Sequence, residues 1–211
     1  MLKIGVLVSG GGTNLQAILD EMERDNLCGA RVVTVVSSSP KAYALERAKA
    51  HGVEGTVISK KDFSDKVEYE NAMISHLREK GVELVVLAGF MVVLGPTFIR
   101  AFENRILNIH PALIPSFCGD GFYGLHVHEA ALAKGVKVSG ATVHFVNEET
   151  DGGPIILQKA VPVLEGDTPA VLQKRIMEEA EWKLLPEAIR LFAQGRLRVE
   201  GGRVHIGEET K

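Results

Sequence analysis

Apolar residues along this chain alternate between short solid runs and helical spacing. Leu2 to Val8 is a run of branched residues that reads as a strand buried on both faces, and therefore parallel. Leu15, Ile18, Leu19 and Met22 then recur with the period of a helix. Val32 to Val36 forms the next solid run. Ala42 to His51 reads as a helix ending at Gly52, and Gly55 to Ile58 as a short strand. Val67, Met73, Ile74 and Leu77 predict a helix capped by Asp62 or Ser64 and stopped by Gly81. Glu83 to Ala88 is another buried strand, Pro96 to Phe102 a short helix opened by its proline, and Arg105 to His110 a further strand. This rhythm predicts an α/β protein, with a mostly parallel twisted sheet and helices on both faces. Ligands of such sheets sit beyond the carboxyl ends of the strands, so the turn after Val8, the loop after Ala88 and His110 are expected to converge there.

The second half is less regular. Pro111 to Leu125 is a long loop with Pro115, Gly119, Gly121 and Gly124, and loops of that length in a domain are often functional. His126 and His128 open a helix running to Lys134. Val136 to Val146 alternates like a strand, with His144 opposite Val143 and Phe145. Asn147 to Gly153 is a polar turn, and Ile155 to Val163 is a strand. Thr168 to Gly195 is a long helical region interrupted by Pro186, with apolar Val171, Leu172, Ile176, Leu184, Ile189 and Leu191. Arg196 to Ile206 reads as a hairpin around Glu200-Gly201-Gly202-Arg203, and the last few residues are expected to be loose.

Composition narrows the function classes. The 211 residues are 45% hydrophobic and 24% charged, as in ordinary globular proteins. A net charge of -3 gives no general attraction to nucleic acid. Cys28 and Cys118 are too few for a disulfide framework and lack metal-site spacing, which fits a reduced, cytoplasmic setting. No apolar run approaches membrane-spanning length, and the opening residues lack the layout of a signal peptide.

Two stretches carry candidate chemistry. Ser9-Gly10-Gly11-Gly12-Thr13-Asn14 joins a strand to a helix. Free amides at a helix N-terminus point outwards, glycines let an anion approach the backbone, and Thr13 and Asn14 add side-chain donors. A dinucleotide fingerprint would need glycine where Leu15 stands and an acidic residue after the second strand, which instead ends in Ser37-Ser38-Ser39-Pro40. The Walker lysine is also missing, so a single small phosphate is favoured. The second stretch is Asn108-Ile109-His110-Pro111. Residues i and i+2 of a strand share one face, so an amide and an imidazole point the same way. Asp151, in the turn Asp151-Gly152-Gly153-Pro154, can supply a carboxylate to the ring. The three make an oxyanion donor, an acid/base and an orienting anion.

Other candidates carry less. The apolar loop Gly89-Phe90-Met91-Val92-Val93-Leu94-Gly95 packs into the core or forms a wall for a flat aromatic ligand. His126 and His128 diverge on a helix, which disfavours a shared metal, and His126 is a candidate to face the pocket. His144 reads as a structural histidine. Cys118 has no assignable activating neighbour.

With these motifs in order, the chain resembles the phosphoribosylglycinamide formyltransferase (glycinamide ribonucleotide transformylase) family over almost its whole length. The resemblance rests on Ser9 to Ile18, on Val86-Leu87-Ala88-Gly89-Phe90-Met91, on Asn108 to Pro115, on Val143-His144-Phe145-Val146 and on Asp151 to Ile156. It implies a Rossmann-like formyltransferase fold in one domain over 1–211, with a phosphate-binding half at 1–100 and a catalytic, folate-binding half at 101–211. It implies formyl transfer from the co-substrate 10-formyltetrahydrofolate to the amine of glycinamide ribonucleotide in purine biosynthesis, without a metal. The implied partners are these small molecules, with no nucleic acid and no membrane, in a monomer or homodimer.

By position, Gly12, Thr13 and Asn14 would hold the ribonucleotide phosphate, and Glu181 its ribose. Lys66, Met91, Val92, Val93, Leu94, Asn108, Asn147, Glu148, Glu149, Thr150 and Asp151 would hold the folate. Asn108, His110 and Asp151 would be catalytic, with Asp151 favouring a charged imidazole. Trp182 and Leu185 stand where the family usually has a histidine and an aromatic residue. Cys118 to Phe122 looks like an insertion. One further residue is a candidate insertion in the helix holding Glu178 and Glu181. Three alternatives differ in acceptor or in catalysis. A formyltetrahydrofolate hydrolase would use water and normally carries an extra N-terminal domain. A methionyl-tRNA formyltransferase would bring a C-terminal RNA-binding domain. A phosphate-sugar binding module would have no catalytic set.

Overall fold

The computed structural model describes residues 1–208, so the expected loose C-terminal end, at 209–211, lies outside the described residues. Seven strands make up a mostly parallel sheet with helices between them, the α/β class that the alternation predicts. The chain divides into two compact units, Met1–Asn108 and Ile109–Lys211.

The first unit runs β1 (Lys3–Val8), α1 (Thr13–Glu23), β2 (Arg31–Ser37), α2 (Ala44–Ala50), β3 (Gly55–Val57), α3 (Lys66–Glu79), β4 (Leu84–Leu87) and α4 (Pro96–Ala101) into β5 (Ile106–His110). Its strands lie in the order β3-β2-β1-β4-β5, all parallel. Burial explains why: Ile4, Val6, Leu7, Val8, Val35, Val36 and Leu84 to Val86 are almost inaccessible, as strands covered on both faces must be. Leu15, Ile18 and Leu19 of α1 and Met73 and Leu77 of α3 add to that core. The chain leaves β1 for β2 on one side and returns to β4 on the other. The strand order therefore reverses at β1, where open α/β sheets place ligands.

The cap of α3 differs from expectation. Asp65, not Asp62 or Ser64, is the N-cap and accepts the Glu68 N–H at 2.9 Å. Asp62 is used in a 3₁₀ turn, Lys60–Asp62, and the Ser64 hydroxyl donates to the Glu68 carboxylate at 2.7 Å.

The second unit contains α5 (Leu125–Lys134), β6 (Val138–Phe145), β7 (Ile155–Pro162), α6 (Pro169–Ile176), α7 (Trp182–Ala193) and the hairpin β8 (Leu197–Glu200) and β9 (Arg203–Ile206). β6 and β7 pair antiparallel. Leu185, Ala188, Ile189 and Leu191 form the buried face of α7, and Phe192 meets Phe145 of β6 with ring centroids 6.4 Å apart. Pro186 does not interrupt the helix, contrary to expectation. The departure from α geometry is a π turn, Met177–Glu181, between α6 and α7. Pro186 has no N–H for the Trp182 carbonyl, and the helix changes its hydrogen-bond spacing just before that point. A π turn also takes up an extra residue without ending the helix, which suits the insertion suspected there.

Candidate functional site

The glycine turn begins where β1 runs out. Gly12 is the N-cap of α1 at φ 72°, a left-handed conformation that favours glycine. A Cβ on Gly12 would also sit 2.6 Å from the Ala44 Cβ, so a side chain is excluded twice over. No side chain of the N-cap residue caps α1. Gly10 and Gly11 are exposed, Thr13 is half-buried, and Asn14 is only 8% exposed. An exposed glycine backbone leading into an eleven-residue helix is the kind of arrangement that can cradle an anion.

The loop after β4 lies beside that turn. Ser9 N donates to the Gly89 carbonyl at 3.0 Å, and Met91 N donates to the Ser9 hydroxyl at 2.9 Å. The apolar loop divides its residues. Leu94 is buried at 8% exposure, whereas Met91 at 54% and Val93 at 63% present bare apolar surface, with Val92 between. The packing reading therefore holds for Leu94, while Met91 and Val93 leave apolar surface uncovered by this chain. The buried carboxylate of Glu70 fixes its far end, accepting from Gly95 N at 2.5 Å and Phe98 N at 3.2 Å. Lys66 opens α3 with its ammonium 3.9 Å from Glu70. Sequence reasoning missed this role of Glu70 in shaping the loop, because its partners are backbone amides 25 and 28 positions away.

β5 pairs with β4, with Asn108 opposite Leu87, which puts the Asn108 backbone at the carboxyl end of these parallel strands. Two residues on, His110 is 4% exposed. In the second unit its Nε2 lies 2.8 Å from the Phe117 carbonyl. A carbonyl only accepts, so Nε2 carries the proton. Nδ1 is turned to Asp151, 3.4 Å from Oδ2. Asp151 has φ 55°, a left-handed conformation that aspartate tolerates better than most residues. Its Oδ2 also accepts from Gly119 N at 3.0 Å, and Oδ1 stands 3.7 Å from His144 Nε2. His144 is held in turn by a 2.8 Å contact from Nδ1 to the Phe145 carbonyl. Gly153 lets this turn close onto β6, since a Cβ there would collide with the Phe145 carbonyl. The carboxylate thus sits between two buried imidazoles.

Burial is the strongest influence on both ionisations. It pushes His110 down, and the opposing pull of Asp151 and the Phe117 carbonyl does not restore it, so the ring titrates below its ordinary value. Asp151 does favour the charged imidazole, as expected, but the dry surroundings act more strongly in the other direction. Burial pushes Asp151 up, yet His144, His110 and the Gly119 amide together hold it below the usual carboxylate range. Both shifts favour an uncharged imidazole facing a carboxylate. Nδ1 is the position where an arriving proton would be stabilised.

His144 joins this cluster instead of being only a structural histidine; its alternation along β6 was legible, its neighbour across the turn was not. His126 does not enter the cluster. It is exposed and pairs with Glu129 at 3.0 Å, while the ring of Tyr123 stacks edge-on against it. The buried member of that pair is His128, which desolvation pushes down to about 4. Cys118 donates to the Pro115 carbonyl at 3.3 Å, and burial raises its thiol, which keeps it protonated and poorly nucleophilic. Asn147 to Thr150 are exposed, shaped by Asn147, which accepts from Glu149 N at 3.1 Å and donates to the Gly152 carbonyl at 3.3 Å. Glu181 closes the π turn and is buried at 6% exposure. Among the described residues, no group of three or more His, Cys, Asp or Glu is arranged to hold a metal, and no helix is long and apolar enough to cross a membrane.

Residues 2–189 match the family described as formyl transferase, and the chain belongs to that family. Within it, the chain is 39% identical over 98% of its length to phosphoribosylglycinamide formyltransferase of Haemophilus influenzae, covering 94% of that protein. It is likewise 39% identical to the Escherichia coli protein of the same name, over 94% of this chain and 90% of that one. The crystal structure of glycinamide ribonucleotide transformylase 1 from Symbiobacterium toebii superposes with a TM-score of 0.93 at 49% identity, over 99% of this chain and 95% of that one.

Proposed function

We propose that this chain transfers the formyl group of 10-formyltetrahydrofolate to the amine of glycinamide ribonucleotide, a step of purine biosynthesis. The observation that carries the reading is the buried His110–Asp151 pair following Asn108 on β5, in a chain related over nearly its full length to phosphoribosylglycinamide formyltransferases. The first half of the chain binds phosphate and the second carries the catalytic set, in one formyltransferase domain. Gly12, Thr13 and Asn14 take the ribonucleotide phosphate on the amides of α1, and Glu181 addresses the sugar. The exposed apolar surface of Met91 and Val93 suits the flat face of a pterin. Val92, Leu94, Lys66 and the turn Asn147 to Asp151 complete the folate site.

The chemistry follows from the groups. The uncharged amine attacks the formyl carbon, a C–N bond forms, and negative charge develops on the formyl oxygen. The Asn108 amide donates to that oxygen, an interaction whose loss typically costs about 3–4 kcal/mol in the transition state. The Nε2–H of His110, engaged with the Phe117 carbonyl here, is the second donor once released from it. The amine must lose a proton and N10 of the folate must gain one as its bond to the formyl carbon breaks. His110 accepts at Nδ1, where Asp151 stabilises the transient charge, and a proton returns to N10. No step needs a metal, and a chelator is expected to leave turnover unchanged.

The test supplies 10-formyltetrahydrofolate and follows tetrahydrofolate release with and without glycinamide ribonucleotide. Release that requires the ribonucleotide is expected. Release without it would mean a hydrolase, and no release in either case a binding module.

A further inference from the structure

The amides of the glycine turn are aimed by a residue outside the motif. Ala44 N donates to the Gly10 carbonyl at 3.1 Å, and Arg47 Nε donates to the Gly11 carbonyl at 2.8 Å. Both donors belong to α2. In a trans peptide the carbonyl and the following N–H point in opposite directions. Drawing the Gly10 and Gly11 carbonyls towards α2 therefore turns the N–H groups of Gly11 and Gly12 away from it. The same guanidinium donates from Nη1 to the Gln16 side-chain carbonyl at 2.9 Å, in the first turns of α1, and lies 5.0 Å over the Tyr43 ring. Gln16 is held from behind by its own donation to Asp20 at 2.7 Å. One planar fork thus fixes the turn and the helix it opens, with the Ala44 methyl packed beneath Gly12.

We propose that Arg47 is a positioning residue for the ribonucleotide phosphate, orienting the Gly11 and Gly12 amides through the Gly11 carbonyl. The proposal rests on the reading of the glycine turn as the phosphate site. It separates Arg47 from a general cation: its Nε–H, not its charge, does the work, and lysine cannot reproduce the fork.

The experiment measures steady-state kinetics and inhibition by inorganic phosphate for the wild-type enzyme, Arg47→Ala and Arg47→Lys. For both variants, KM for glycinamide ribonucleotide and the phosphate inhibition constant are expected to rise about tenfold, the scale of one charge-assisted hydrogen bond. Turnover at saturation and KM for the folate stay at wild-type levels. That split is one a loss of overall structure would not give, and a thermal melt of each variant checks folding. Unchanged ribonucleotide KM and phosphate inhibition in Arg47→Ala would overturn the proposal. So would full recovery in Arg47→Lys, the milder change should the alanine variant fail to fold, because the planar fork would then be dispensable. If phosphate fails to compete with the ribonucleotide in the wild-type enzyme, the phosphate reading of the turn itself falls, a result distinct from either.

Discussion

The glycine turn of the first unit and the histidine–carboxylate cluster of the second are built on opposite principles. The turn uses backbone donors from consecutive residues and faces water, with Gly10 and Gly11 exposed. The cluster uses side chains from positions 110, 144 and 151 with backbone groups of 117 and 119, and His110 and His144 are almost inaccessible. An amide dipole is the same in any sequence, so conformation alone defines the turn. The charge state of a buried imidazole depends on everything packed around it. The two regions should therefore respond differently to substitution and to pH.

The largest effect is expected in the cluster. His110→Ala should lower kcat by about 10²–10⁴, and Asn108→Ala by about 10²–10³, with the ribonucleotide KM near wild type. Near-normal turnover in either variant would remove that residue from the catalytic set. In the turn, the corresponding change acts on conformation. Gly12→Ala forces φ 72° on a residue with a Cβ, at a cost of about 1–2 kcal/mol, and drives that Cβ into Ala44. A lowered melting temperature and a raised ribonucleotide KM are expected, with kcat little changed for the enzyme that remains folded. Equal stability of the two proteins would show that Ala44 yields and that the turn is softer than its geometry implies.

The smallest and sharpest test is the titration of His110 by NMR. Its folded value lies below the ordinary 6.5 because burial disfavours the charged ring. The unfolded chain then binds the proton first, and folding loses stability as pH falls from about 6.5 towards the folded value. In Asp151→Asn the upward pull of the carboxylate is gone, so His110 should titrate lower still. A ring that titrates above 6.5 in the wild type would contradict the dominance of burial.

Alternation of apolar runs and helical spacing was enough to find the strands and helices, because both periods are local. The ends moved by a residue or two, and the α3 cap fell on Asp65 because Asp62 was taken by a 3₁₀ turn. Pro186 was misleading: a helix tolerates it once a π turn precedes it, and the π turn has no sequence pattern of its own. The candidate site divides the same way. Asn108, His110 and the glycine turn were visible in short motifs. His144 looked structural, and Glu70 and Arg47 carried no motif, because each acts on a backbone group far away in the chain.

The amino-acid sequence determined the α/β alternation, the conformation demanded of Gly12 and the identity of the candidate reactive groups, since these depend on residue type and near neighbours. The tertiary structure alone decided that burial lowers the His110 titration, that Asp151 lies between two imidazoles and that Arg47 holds the Gly11 carbonyl. Desolvation and long-range hydrogen bonds exist only when distant segments are packed together, and no local pattern encodes how deeply a ring will be buried.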